Sequence, residues 1–269
     1  MSGTSVRGRN PQTSREVCPE CNGRGWKIVA DGGAGTAIRC DCAKRERTAI
    51  YLDRAGIPDR YRRCRLSNFK TSNADPNISR LLLEARKTSE LYVDHFFDPK
   101  DQRFRSSGLI FVGPPGIGKT HLAAAVLSEA IERYQVRGRF VDFTVLLHQI
   151  QSTFDAGNQD TKHSILAPVI EAELLVLDEL GAQKPTEWVM NTLYLIMNSR
   201  YTERRPTIFT TNYHLDPSRS QGKDRRYEAL DTRISPQLVS RLFEMGQPVV
   251  LGDFDYRREV MMYQHRLGR

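Results

Sequence analysis

No apolar run in this 269-residue sequence approaches the ~20 residues that a membrane-spanning helix needs. The opening residues, Met1-Ser2-Gly3-Thr4-Ser5-Val6-Arg7, lack the apolar core of a secretory signal. These absences predict a soluble, cytoplasmic protein with no membrane partner. No internal repeat is visible, which argues against solenoid and propeller architectures. Cysteine is scarce, with five residues in all, and four of them crowd into the first 42 positions. A surplus of one charge is missing from most of the chain: residues 71–269 hold 25 Lys+Arg against 25 Asp+Glu, whereas residues 1–70 hold 15 against 7. The net charge of +8 therefore belongs to the front of the molecule. A basic front implies an acidic partner, either nucleic acid or an acidic protein surface, beside the plainer role of a solubilising face.

What is present begins with residues 113–120, Gly113-Pro114-Pro115-Gly116-Ile117-Gly118-Lys119-Thr120, a full match to the phosphate-binding loop G-x-x-x-x-G-K-[ST]. The apolar run Leu109–Val112 precedes it and a helix-like stretch from His121 follows, which is the strand–loop–helix setting the motif requires. Glycines at 113, 116 and 118 let backbone N–H groups wrap phosphates, and the helix N-terminus adds a positive dipole end. Lys119 would neutralise the β- and γ-phosphates, and Thr120 would place its hydroxyl on Mg²⁺. The expected ligand is ATP with Mg²⁺, contacted by residues 113–120 and His121.

Cys18-x₂-Cys21 is followed after 18 residues by Cys40-x-Cys42. Two pairs across such a loop suit a tetrahedral four-thiolate zinc site, although the second pair is tighter than usual. Gly23 and Gly25 supply the backbone freedom that a turn close to thiolates needs. Free or redox thiols are the alternative, and four thiolates would leave no open position for catalysis at a zinc. Cys64 stands apart and reads as a buried small apolar residue.

The order of elements predicts an α/β fold: a five-stranded parallel P-loop sheet with flanking helices, preceded by a small zinc-ribbon-like module. Expected strands are Leu109–Val112, Arg139–Phe143, Leu174–Asp178, Thr207–Thr211 and Val249–Leu251, separated by helices and joined by right-handed crossovers. The division is 1–15 as a disordered start, 16–56 as the metal module with a basic helix, 57–78 as a linker and 79–269 as the ATPase domain. Within the metal module, Trp26–Val29 and Ala37–Arg39 read as two short strands around Asp31–Gly35. An amphipathic helix is expected over Asn77–Phe97.

Leu174–Leu177 ends in Asp178-Glu179, an apolar strand carrying acid at its C-terminal tip, where ligands bind in open α/β sheets. Asp178 can hold the water shell of Mg²⁺ opposite Thr120. Glu179, one residue on, can polarise a water for attack on the γ-phosphate. Asn212, after Thr210-Thr211, can hydrogen-bond that water or the γ-phosphate, although asparagine after a strand is also ordinary turn chemistry.

These residues carry a family resemblance. GPPGIGKT, LLVLDE with Leu180–Trp188 behind it, and TTN resemble the AAA+ ATPases of the DnaC/DnaI helicase-loader and IstB-like group. The zinc-like front with Ala55–Arg62 is similar to the N-terminal part of DnaI-type loaders. The resemblance implies that Lys119 and Thr120 are Walker A residues, Asp178 and Glu179 the Walker B pair, and Asn212 the sensor-1 residue. It further implies an arginine finger at Arg241 in Ser240-Arg241-Leu242, acting on a neighbouring subunit, and a sensor-2 arginine at Arg257, with Arg233 a competing candidate. A trans-acting finger implies a homo-oligomer, and the group implies single-stranded DNA in a central channel. Lys162-His163 and Ser218–Arg226 (Arg219, Lys223, Arg225, Arg226) are candidate DNA contacts, or simply charged loops.

The reading that follows is an ATP-hydrolysing loader of the replicative DNA helicase on single-stranded DNA, its zinc-bearing front engaging the helicase. Its rivals are a transposition helper of the IstB type, an adaptor that binds ATP without hydrolysing it and, last, a small-molecule P-loop kinase, for which the sequence offers no evident acceptor pocket.

Overall fold

The computed structural model describes residues 18–29, 35–98, 100–101, 103–105, 107–153, 159–215 and 228–252, without the side chains of 159–162. The expected disordered start, Arg257 and Ser218–Arg226 lie outside the described residues, as does the side chain of Lys162. The chain divides into two compact units, Met1–Ala49 and Ile50–Arg269.

In the first unit, β1 (Trp26–Val29) and β2 (Thr36–Arg39) pair antiparallel with Trp26 opposite Arg39. The Arg39 guanidinium sits 5.2 Å from the Trp26 ring centroid. Helix α1 (Asp41–Arg54) starts in this unit directly after Cys40 and ends in the second, before Gly56, whose φ of +70° a side chain would resist.

The second unit is built on a five-stranded parallel sheet of β5 (Gly108–Val112), β6 (Gly138–Asp142), β7 (Leu174–Leu180), β8 (Thr207–Thr211) and β9 (Gly246–Val250), in the order β6-β7-β8-β5-β9. It follows α2 (Pro76–Asp94) and a short hairpin of β3 (Phe97–Asp98) and β4 (Arg103–Phe104). Helices α3 (Lys119–Tyr134), α4 (Phe143–Gln151), α5 (Gln159–Glu171), α6 (Glu187–Thr202) and α7 (Pro236–Met245) complete the layers. The helix starts are sequence-encoded: Asp75 caps α2 ahead of Pro76, Asp142 caps α4, Thr186 caps α6 and Ser235 caps α7 ahead of Pro236.

Strand β5 and the Leu174–Leu177 part of β7 are apolar and fully buried because both of their faces are covered. Leu109 and Phe111 of β5 join the core under α2 and α3, while Ile110 and Val112 join the core under α4 to α7. Leu174 and Val176 against Leu175 and Leu177 repeat that two-residue period on β7. The expected parallel sheet is therefore observed, and the order of its strands is what positions the site. Strand β8 lies between β5 and β7, so the Thr210–Asn212 tip stands between the phosphate loop and the acidic strand end.

The stretch 57–78, expected as a linker, contributes to the core of the second unit. Two 3₁₀ turns, Asp59–Tyr61 and Leu66–Asn68, fold it into a strap whose Ile57, Cys64, Leu66 and Phe69 are buried. The strap is fastened to α3 by the Arg65–Glu132 ion pair at 2.8 Å and by Leu66 N donating to Glu129 Oε1 at 2.9 Å.

Candidate functional site: a phosphate loop beneath a strap

The phosphate loop leaves β5 at Gly113 and enters α3 at Gly118, with φ of +86° at Gly116 and +112° at Gly118. Gly118 is fixed by a neighbour as well as by its backbone: a Cβ there would sit 2.6 Å from Phe69 Cε2. The strap therefore rests on the last glycine of the loop. Lys119 Nζ folds back over its own loop, donating to the carbonyls of Gly113 and Pro114 at 2.8 Å each.

Asp178 is 5% exposed and lies behind the loop. Its Oδ1 accepts from Thr120 Oγ1 at 3.1 Å and from Thr210 Oγ1 at 2.5 Å. Burial pushes its carboxyl up to about 6, opposed by those two hydroxyls. A divalent cation beside Thr120 and Asp178 would favour the charged carboxylate, so this donor set fits the hard oxygen ligation that Mg²⁺ requires.

Between Leu177 and Leu180 the β7–β8 register shifts, and Glu179 takes a φ of +61°. This bulge separates the two acids. Asp178 stays inside, while Glu179 is exposed and faces the cavity. The Glu179 peptide N–H donates to Thr210 Oγ1 at 3.0 Å, so one threonine of β8 ties down both acidic positions.

The cavity holds about 430 Å³ and is lined by Gly116, Gly118, Lys119, Thr120, Glu179 and Asn212. The strap adds Tyr61, Cys64 and Phe69, with the cations Arg60 and Lys70. Phosphate-loop groups and cations beside apolar side chains suit both the charged and the apolar surface of a nucleoside triphosphate. Composition and motif reading placed no functional residue in this wall. The available signal was the strap's spacing of Ile57, Tyr61, Cys64, Leu66 and Phe69, too irregular to read as either period. His121 also lines the cavity, with Nε2 3.1 Å from the Arg65 carbonyl and its ring edge-on to Phe69. Burial pushes its imidazole pKa down, so it is neutral at pH 7.

The arginines separate. Arg233 donates from Nε to the Gly181 carbonyl at 2.9 Å and lies 5.0 Å from the Tyr213 ring centroid, binding the turn after β7. Arg241, on α7, does not line the cavity. His163 is exposed on α5.

In the first unit, Cys18, Cys21, Cys40 and Cys42 place their sulfurs within 4.8 Å of one another. Cys18–Cys40 and Cys21–Cys42 are 3.7 and 3.3 Å apart. A tetrahedron with Zn–S bonds of about 2.3 Å has edges of about 3.8 Å, so the cluster is zinc-sized. The Gly25 N–H, 3.3 Å from Cys21 Sγ, draws that thiol down to about 7, while the neighbouring thiols, Cys21 first, push Cys42 up to about 12. Four thiols this close resist joint ionisation, and a dication in their midst would relieve that conflict.

The family described as "IstB-like ATP binding protein" matches residues 75–235. Replicative helicase loader DnaC of Escherichia coli K12 is 26% identical over 187 residues, covering 67% of this chain and 69% of that protein. An ATP-binding protein of insertion sequence IS5376 from Geobacillus stearothermophilus is 32% identical over 130 residues, covering 48% of this chain and 47% of its own length. The crystal structure of the DnaC helicase loader superposes with a TM-score of 0.58 at 31% identity, covering 72% of this chain and all of that one.

Proposed function

The chain belongs to the IstB-like ATP binding protein family, and from that premise we propose that it hydrolyses ATP to load a replicative DNA helicase onto single-stranded DNA. The observation that carries the proposal is the gathering of Lys119, Thr120, Glu179 and Asn212 around one cavity, with Asp178 behind Thr120. Lys119 exchanges the Gly113 and Pro114 carbonyls for the β- and γ-phosphates, and the loop's N–H groups cradle the rest. Thr120 and Asp178 would hold Mg²⁺, which would supply charge neutralisation at the phosphates. Glu179 accepts a proton from, or orients, the attacking water, and Asn212 fixes that water's approach. Arg241 reaches the γ-phosphate of a neighbouring copy, so turnover needs an oligomer. The likeness to DnaC in sequence and in structure supports the loading role.

The IS5376 relative supports a second reading, a helper of DNA transposition. A pull-down from the native cell with a Glu179→Gln bait, which holds ATP without turnover, separates the two. Recovery of a hexameric helicase is the expected result, and recovery of a transposase overturns it. Among the described residues no helix is long and apolar enough to cross a membrane.

We assign structural zinc to Cys18, Cys21, Cys40 and Cys42, in a module that engages the helicase. Elemental analysis of purified protein is expected to give about one zinc per chain. Removal with a strong chelator should unfold the β1–β2 hairpin, read as a change in Trp26 fluorescence, and leave ATP affinity unchanged. Metal-free protein with four reactive thiols and unaltered fluorescence would refute the assignment.

A further inference from the structure

Arg241 projects from α7 onto a single face of α6. Its Nη1 donates to Asn198 Oδ1 at 2.6 Å, and its Cζ lies 5.4 Å from the Tyr194 ring centroid and 5.2 Å from that of Tyr201. Positions 194, 198 and 201 are spaced four and three apart, so they form one stripe on the helix. Two of the side chains are well exposed, Tyr194 at 50% and Tyr201 at 41%.

An arginine that merely joins two helices is commonly matched with a carboxylate, which neutralises it. Among the described residues no carboxylate lies within ion-pair distance of Arg241, and Glu244 bears on Tyr201, raising that phenol's pKa. Arg241 is held by an amide oxygen and two π faces. Such partners restrict its rotamers and leave its positive charge intact. A charged, oriented guanidinium amid exposed aromatic surface, to which Phe243 of α7 at 48% exposure adds, has the composition of an interface anchor.

We propose that Tyr194, Asn198 and Tyr201 are positioning residues that hold Arg241 ready to enter the nucleotide site of a second copy of this chain. The inference rests on the reading of Arg241 as a trans-acting finger. A free arginine loses much of its rotamer freedom when it docks, and the cradle removes that freedom before the subunits meet. The gain then appears in the rate of the step and leaves ground-state nucleotide binding untouched.

The test uses the full chain. The Tyr194→Leu/Tyr201→Leu double variant is expected to hydrolyse saturating ATP about tenfold more slowly, the combined worth of two exposed cation–π contacts, with nucleotide affinity unchanged. The Tyr194→Phe/Tyr201→Phe variant keeps both rings and is expected to stay within about twofold of wild type. Mixing the leucine variant with Glu179→Gln protein, whose own site is stalled but whose Arg241 cradle is intact, should restore turnover at the leucine variant's sites. A leucine variant that turns over at the wild-type rate while Arg241→Ala is slow, or a mixture without recovery, overturns the cradle alone. Arg241→Ala at full rate overturns the finger reading and the cradle with it.

Discussion

Glu179→Gln is expected to slow phosphate release by about 10²- to 10⁴-fold, the range of a positioned general base, with nucleotide affinity close to wild type. The expectation comes from the shape of the β7 end. In a regular strand, successive residues face opposite sides, and Glu179 would turn away from whatever Asp178 approaches. The register shift between Leu177 and Leu180 and the φ of +61° at Glu179 break that alternation and set the carboxylate at the cavity wall beside Asn212. A left-handed glutamate costs about 1–2 kcal/mol, and the Thr210 hydroxyl that accepts its N–H helps to hold it there. Strain retained at such a place is consistent with a chemical role. Glutamine keeps the shape and the hydrogen-bonding reach and loses the proton acceptor. Fluorescent-nucleotide titration and steady-state phosphate release together check the split. Unchanged release removes Glu179 from its role, and slow release in wild type and variant alike supports the adaptor that never hydrolyses. Lys119→Ala provides the contrast, since it is expected to lose binding itself.

Arg200→Met is expected to destabilise the second unit by about 3–5 kcal/mol, lowering the thermal midpoint by about 6–20 °C. Arg200 is fully buried, and among the described residues no carboxylate is one of its hydrogen-bond partners. Nη1 donates to the carbonyls of Val169, Ile170 and Ala172 at 2.8–3.0 Å, Nη2 to Pro206 O at 2.7 Å, and Nε to Thr207 Oγ1 at 2.8 Å. The first three acceptors are the orphan carbonyls at the end of α5, the negative pole of that helix. Burial pulls the guanidinium pKa down to about 9, so it remains charged at neutral pH. The same five bonds fasten the chain just before β7, which carries Asp178 and Glu179, and at the start of β8, which leads into Asn212. Methionine fills similar volume but removes five donated bonds; Ile170 O keeps Arg205 Nη1 and Pro206 O keeps the Leu175 N–H, while the Val169 and Ala172 carbonyls lose the guanidinium. Lysine, with three donors and no planar fork, should recover only part of the loss. Calorimetric or urea unfolding reads the effect, and a methionine variant within about 1 kcal/mol of wild type would show that the network contributes little.

The contrast between Glu179 and Arg200 marks how much was legible in the chain. The phosphate loop, the acidic strand end and the four cysteines are chemistry written in contiguous or narrowly spaced residues. Backbone freedom at Gly116 and Gly118, the apolar run Leu174–Leu177 and the caps at Asp75 and Ser235 act over a few positions, and their meaning survives without knowledge of the fold. The parallel sheet followed for the same reason, from apolar strands alternating with helical periods. Arg200, by contrast, reads in sequence as an ordinary helix arginine. Arg233 and Arg241 look equivalent there, yet one binds the turn after β7 and the other faces the tyrosines of α6.

By itself, then, the sequence determined the chemical parts of this protein and the local elements that bear them: a loop for phosphates, an acid pair, a thiol cluster, strands and capped helices. Tertiary structure alone decided which parts meet. The insertion of β8 between β5 and β7 brought Thr210 to Asp178 and Asn212 to the cavity. The folding of residues 57–70 across α3 turned a linker into the apolar wall of that cavity. Both outcomes depend on contacts between residues far apart in the chain, whose free energy comes from burying shared surface, and no local pattern of residues records which surfaces will be shared.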